Sequence, residues 1–354
     1  MTAPNPRMDA GAPLEVVSAA TLFPSDAPRQ LIAPSVARLD SGRLLLTFSL
    51  GEDLDATESS LVLSRSDDGG GVWSEPEEVY SVPGRRCMNM GGLARFSEDL
   101  LRLVLGAARI DFSLGGDEPF ADWYAGYVDS HDGGRTWSEP SPEVKLFPMW
   151  TEMYGASNPH RLSDGTFMSA VMGTVGRDEQ WHSGVTFCGP PDYEYARPVI
   201  IAKDPDRNYS DTDVVRLADG RFLAVVREHI TLDSVFAHSA DEGRTWTDIR
   251  PTGFKGSNVK LLKLRSGAVI CSYRDEDPSR RGVSVSVTRD GGENWEIVGS
   301  LYAAGDDADH TAGYRCGYPD MVYTGEKDIA CVLHTYRGQS GAIDLHFLRL
   351  RDLT

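Results

Sequence analysis

Short apolar stretches, punctuated by Asp-Gly, Ser-Gly and related pairs, recur along the whole chain. In LIAPSVARLDSGRLLLTFS, SNPHRLSDGTFMSAVMG, SDTDVVRLADGRFLAVVRE, NVKLLKLRSGAVICSYRD and GYPDMVYTGEKDIACVLHTY, two apolar runs flank one turn, and MNMGGLARFSEDLLRLVLGA is a weaker sixth copy. Runs of this length, alternating or continuous and closed by Gly-containing turns, predict β-hairpins. Almost nowhere do apolar positions recur at the helical period with capping residues, so the chain is expected to be nearly all β.

A second pattern follows these hairpins. SRSDDGGGVWSEP returns as DSHDGGRTWSEP, SADEGRTWTDI and TRDGGENWEIV, aligning as Ser66, Asp68, Gly70, Trp73; Ser130, Asp132, Gly134, Trp137; Ser239, Asp241, Gly243, Trp246; and Thr288, Asp290, Gly292, Trp295. The residue types fit a tight turn: the carboxylate accepts bonds from turn amides, glycine takes positive φ, and tryptophan packs beneath. A calcium loop is the rival reading, but each copy has too few carboxylates for an oxygen cage. The tryptophans are 64, 109 and 49 residues apart, and the long middle interval places a unit that has lost its turn near HSGVTFCGPPDYEYARPVII.

Six units of about 50 to 60 residues, each with four strands, predict a six-bladed β-propeller carrying four such turns. One domain is expected over residues 13–354, after a loose tail over residues 1–12. AIDLHFLRLR reads as a third strand and LEVVSAATLF as the fourth strand of the same unit, so the ring is expected to close by pairing the two ends of the chain. The inner strands converge on the axis, and their leading residues, Ile32 to Pro34, Asn89, Tyr154 to Asn158, Asp211, Asn258 and Tyr318, are where chemistry is expected.

Composition narrows the function. Acidic residues outnumber basic ones 53 to 35, for a formal charge of -18, which disfavours nucleic-acid binding. No stretch approaches the roughly 18 apolar residues of a membrane helix, and the N-terminus lacks a signal-peptide pattern, so a cytoplasmic protein with no membrane partner is expected. The odd set of five cysteines, without CxxC spacing, argues against a disulfide framework and a zinc site. His160, His229, His310 and His334 show no paired ligand spacing. No metal or cofactor is expected.

With four such turns, six strand repeats and particular inner-strand residues, the chain resembles the sialidase superfamily over roughly residues 14–350. The resemblance names the turns Asp boxes and implies a sialidase-like propeller and a glycosidase with a tyrosine nucleophile. In RCGYPDM the nucleophile position is held by Tyr318, with Arg315 beside it as a substrate-binding candidate. In YSDTDVVRLADGRFLAVVRE, Asp211 stands at the position of the glutamate that assists the tyrosine, and Arg227 at a substrate-clamping arginine. For the next arginine SYRDEDPSRRGVSV offers Arg281, then Arg280 and Arg274. The acid/base position falls in GEDLDATESS on Asp55, with Asp53 and Glu58 as alternatives. Tyr154 and Asn158 are further substrate-binding candidates, and Trp150, Tyr154 and Trp181 near the third unit's inner rim are candidates to stack on a sugar. The family opens its first blade with Arg-Ile-Pro, and here Ile32 replaces that arginine.

The leading expectation is therefore a hydrolase removing a terminal acidic sugar, a sialic acid, another ketodeoxy sugar or a uronate, from a small oligosaccharide with retention. A lyase acting beside a uronate carboxylate and a non-catalytic carbohydrate-binding propeller are the alternatives.

Overall fold

The computed structural model describes residues 6–23, 29–52, 56–114, 120–153, 159–174, 180–303, 316–337 and 340–351. Among these, one 3-10 turn, Phe112–Leu114, is the sole helical element, and the rest of the regular structure is β. No helix in the described residues is long and apolar enough to cross a membrane.

The described strands fall into six up-and-down antiparallel units around an axis, numbered here as blades one to six. Blade one is typical, with Gln30–Arg38 innermost, then Leu44–Gly51, Ser59–Ser66 and Glu77–Tyr80. The inner strands of blades two, four and six are Arg86–Arg95, Tyr209–Arg216 and Cys316–Tyr323. A single strand, Arg250–Lys263, serves first as the outer edge of blade four and then as the inner strand of blade five. In blade three the inner edge is divided between Trp150–Glu152 and His160–Arg161, both paired with Phe167–Thr174.

Apolar side chains fill the seams between neighbouring blades. Leu45, Leu63, Leu93 and Leu103 join blades one and two, while Phe222, Ala224, Met168 and Val185 join three and four. Equivalent clusters join two to three, four to five, five to six and six to one. The alternation read from the sequence thus becomes a continuous ring of buried apolar surface, each strand face contributing to one seam. The ring closes as expected, since Leu14–Leu22 pairs antiparallel with Ser340–Leu350. Residues 7–12 differ from the loose tail expected of them. Arg7 and Met8 pair with Ser300 and Gly299, and Ala12 is fully buried in the seam between blades five and six. Their polar composition concealed this because the bonds are made by backbone atoms.

The four Asp boxes share their hydroxyl, carboxylate and amide bonds, while the tryptophan Nε1 reaches its glycine carbonyl in the first and third only. In the first, Ser66 Oγ donates to Asp68 and accepts from the Gly70 amide, the Val72 amide donates to Asp68 Oδ1, and Trp73 Nε1 donates to the Gly70 carbonyl. The carboxylates of Asp132, Asp241 and Asp290 are likewise engaged by hydroxyl, amide and side-chain donors of their own turns. Blades three and six carry no box, and the seam between blades two and three holds a different wedge. Arg102, 1% exposed, pairs with Asp129 at 2.7 Å and lies against the Tyr127 ring, 3.5 Å from its centre.

Candidate active site

The inner strands share a local irregularity that aims side chains at the axis. Pairing slips between Ile32 and Ser35, Ser210 and Asp213, Ser257 and Lys260, and Gly317 and Asp320. Within each slip one residue takes the left-handed backbone: Ala33 (φ 52), Asp211 (φ 48), Asn258 (φ 52) and Tyr318 (φ 46). Non-glycine residues rarely occupy this region, and bulges use it to re-aim a side chain. The device recurs at Ala33, which has no functional group, so it belongs to the blade design, and polar residues in the other blades exploit it.

Two layers of polar side chains result. In the outer layer, Arg227 Nη1 lies 3.3 Å from Asp211 Oδ2, and the Asn258 amide donates to the same oxygen at 3.0 Å. Arg227 Nη2 also lies 3.8 Å from Glu276, whose Oε1 is 3.1 Å from Arg274 Nε. Ser257 bonds both Glu276 and Arg274. Burial works against charge on Arg274, but Glu276, Tyr318 and Asp211 outweigh it and hold the guanidinium above its ordinary range. Burial likewise tends to raise Glu276, and Arg274, Ser257 and Arg227 more than offset it, keeping the carboxylate ionised. Arg274 packs against Gly317, immediately before Tyr318, and the Tyr318 ring lies 5.6 Å from that of His334. His229 bonds Ser210, and burial, reinforced by Arg227, pushes its imidazole down to about 4.

The inner layer lies two residues further along the same strands. Lys260 Nζ is 3.6 Å from Asp320 Oδ1, and Ser35 and the Val36 amide donate to Asp320 Oδ2 at 2.8 and 3.0 Å. Asp213 Oδ2 accepts from the Leu261 amide at 2.7 Å. Burial opposes charge on Lys260, but Asp213 and Asp320 together raise its affinity for the proton. One ammonium faces two carboxylates, and burial leaves Asp213 raised to about 6. Beside this layer opens a cleft of about 330 Å³, counting its mouth, between Ala33 and Pro34 of blade one, Gly91 and Gly92 of blade two, and Tyr318.

Of the residues singled out in the sequence, Tyr318, Asp211 and Arg227 stand at this end of the axis. Arg280 does not join them, because it pairs with Asp275 and Asp277 at the blade margin, and Arg281 makes no ion pair among the described residues. Arg274, ranked after them, is the arginine that the fold brings to the group. A strand that keeps its register turns Arg274 inward at its end, whereas Arg280 and Arg281 fall in the following turn. Asp55, Asp53, Tyr154, Asn158 and Arg315 lie outside the described residues, as does His310. Glu276, Ser257, Lys260, Asp213 and Asp320 were not foreseen as site components. The signal for three of them was present as an i, i+2 pattern, since Asp213, Lys260 and Asp320 each follow the re-aimed residue by two.

Residues 42–331 match the family described as BNR repeat-like domain. No relative among curated proteins matches the sequence. Several solved structures share the fold. A protein of unknown function from Dyadobacter fermentans DSM 18053 superposes with a TM-score of 0.80 at 19% identity, over 96% of this chain and 99% of that one. The Hadza microbial sialidase Hz136 gives 0.67 at 19% identity, over 90% of this chain and 66% of that one. An alpha-L-arabinanase from Penicillium chrysogenum, solved with arabinobiose, gives 0.63 at 14% identity, over 99% and 100% of the two chains. The family match spans most of the chain: the chain belongs to the BNR repeat-like family, and it shares its β-propeller fold with these structures.

Proposed function

We propose that the protein is a retaining exo-glycosidase that removes a terminal acidic sugar, a ketodeoxy sugar or a uronate, from short oligosaccharides. The observation that carries this reading is the grouping of Tyr318 with two arginines and two carboxylates, Arg274 packed against Gly317 and Arg227 bridging Asp211 and Glu276. In a ketodeoxy sugar the carboxylate stands on the reacting carbon and repels an anionic nucleophile, and a tyrosine hydroxyl avoids this. A free phenol ionises near pH 10, so its proton needs an acceptor and its oxygen a nearby cation. In this reading Asp211 takes the proton as the Tyr318 oxygen bonds to the anomeric carbon, while Arg274 steadies the phenolate. Asp55 protonates the departing oxygen, then draws a proton from the water that attacks the anomeric carbon, and the Tyr318 oxygen leaves and takes its proton back from Asp211.

With Ile32 at the first-blade arginine position, the substrate carboxylate rests on Arg227 and Arg274. Losing one charge-assisted contact costs about 1.5 to 3 kcal/mol. A less demanding acid than a nine-carbon sialic acid is therefore included in the substrate class.

The test is a screen of acidic oligosaccharides and aryl glycosides, with products weighed by mass spectrometry in water enriched in heavy oxygen. Hydrolysis incorporates the label into the released sugar. An unsaturated product absorbing in the ultraviolet would identify a lyase instead. Tyr318→Phe is expected to lower turnover by at least about a hundredfold with binding retained. Unchanged turnover removes Tyr318 from the nucleophile role.

A further inference from the structure

The chain has seven tryptophans, and four of them, Trp73, Trp137, Trp246 and Trp295, belong to the Asp boxes. The remaining three meet at one place. Trp123 and Trp150 stack with ring centres 4.0 Å apart at 11°, Phe120 lies 5.3 Å from Trp150, and Trp181 meets Trp150 edge-on at 5.8 Å. All four rings are only half-buried. Phe120 and Trp123 open the third strand of blade two, Trp150 opens the inner edge of blade three, and Trp181 precedes that blade's third strand. In an up-and-down blade, first and third strands begin at the same end, so the cluster shares its end with Tyr318, and the Asp-box turns occupy the other.

The cluster is also continuous with the candidate active site. Trp123 and Met90 both close over Gly106, where a Cβ would stand 2.2 Å from the indole and 2.8 Å from Met90, and Met90 lines the axial cleft. At its other margin the Trp181 carbonyl accepts from the Tyr209 amide at 3.0 Å, two residues before Asp211. Polar contacts orient the rings. Trp150 Nε1 donates to Glu152, itself 6% exposed, at 2.7 Å, and Trp123 Nε1 to the Thr151 carbonyl at 3.3 Å. The group is thus an oriented apolar wall from the cleft to Asp211, on the blades that contribute none of the clamping arginines.

We infer that this wall is a second sugar subsite, which receives the neutral pyranose ring attached to the acidic sugar. The inference rests on the glycosidase reading for its biological meaning, but its binding chemistry stands apart. A pyranose presents an apolar face of C–H groups to aromatic rings, which matches an apolar wall of this size. Neutral occupancy also suits a chain of formal charge -18, in which Glu152 is the nearest charge on the short strand carrying Trp150.

The test uses the intact protein with lactose, cellobiose and maltose as probes, read by saturation-transfer NMR and by intrinsic tryptophan fluorescence. The expected result is transfer to at least one disaccharide, with affinity reduced about tenfold in Trp181→Ala and in Trp150→Phe. Circular dichroism and thermal melting establish that both variants are folded. If an acidic oligosaccharide is turned over, the variants are expected to raise its KM relative to that of an aryl glycoside. Absence of transfer to all three disaccharides in the folded wild type overturns the subsite, whatever the turnover result. So does a change of oligomeric state in Trp181→Ala without any effect of sugar, which would assign the wall to an interface between copies. Binding of disaccharide without any turnover keeps the subsite and removes the hydrolase reading, so the two failures are separable.

Discussion

Gly317 stands immediately before Tyr318 with φ 144°, and a Cβ there would lie 2.6 Å from Asn258 Oδ1 and 3.5 Å from Arg274. Both the left-handed backbone and the close approach require glycine. Gly317→Ala is expected to displace Tyr318 from Arg274 and to lower kcat by about tenfold or more, since misplacements of about 1 Å have effects of that order. Steady-state kinetics on whichever substrate the screen identifies would measure it, and an unchanged kcat in the folded variant would count against this geometry. The place of Tyr318 near the head of the last inner strand was legible because the residues around it matched a known pattern. Glu276 was not, because its place depends on Arg227 reaching it from the preceding blade.

The Asp box illustrates how completely a local motif can be read as an element. Ser, Asp, Gly and Trp at their spacings specified hydroxyl, carboxylate, positive-φ and packing roles, and the hydrogen bonds of all four turns fill those roles. Gly292 has φ 106°, and a Cβ on it would stand 2.8 Å from Leu223 of the preceding blade. Gly292→Ala is therefore expected to cost about 1 to 3 kcal/mol, measurable as a lowered urea midpoint. A variant as stable as wild type would show that the turn tolerates an α-carbon substituent. The wedge that replaces the missing box was not legible. Arg102 reads as an ordinary strand cation paired across its hairpin with Asp129, and only the seam adds Tyr195 of the facing blade.

Across the molecule, the axial layer joins blades one, four, five and six through Ser35, Asp213, Lys260 and Asp320. Lys260→Met would leave two buried carboxylates facing each other without a cation and is expected to destabilise by about 3 to 5 kcal/mol, read by denaturant unfolding. Adding Asp213→Asn and Asp320→Asn is expected to restore part of that loss, and failure to do so would show that charge is not its cause. Acid sensitivity has a similar origin. Burial lowers His160 and His229 from 6.5 to about 4 in the folded chain, so unfolding takes up protons between those values. Their contribution is fully present above pH 6.5 and lost as pH falls towards 4. Asp213, raised from 3.8 to about 6, acts in the opposite sense: its contribution is full below 3.8 and lost as pH rises through 6. Two histidines outweigh one aspartate, so stability at about pH 5 is expected to be roughly 2 kcal/mol below that at about pH 7. Melting scans at both values check this, and His160→Asn is expected to shrink the difference.

Repeated hairpins, the returning Asp-Gly-Trp turn and the matching ends of the chain were enough to read an all-β propeller closed by its termini. Each of these depends on contacts between residues near in sequence or on a period repeated many times. Which arginine reaches Tyr318, which carboxylates share a lysine, and where three tryptophans meet depended on folding. These residues lie on different blades, at separations of up to 285 residues for Ser35 and Asp320. Closure around an axis makes such distant residues neighbours, and no local periodicity encodes which of them will face one another.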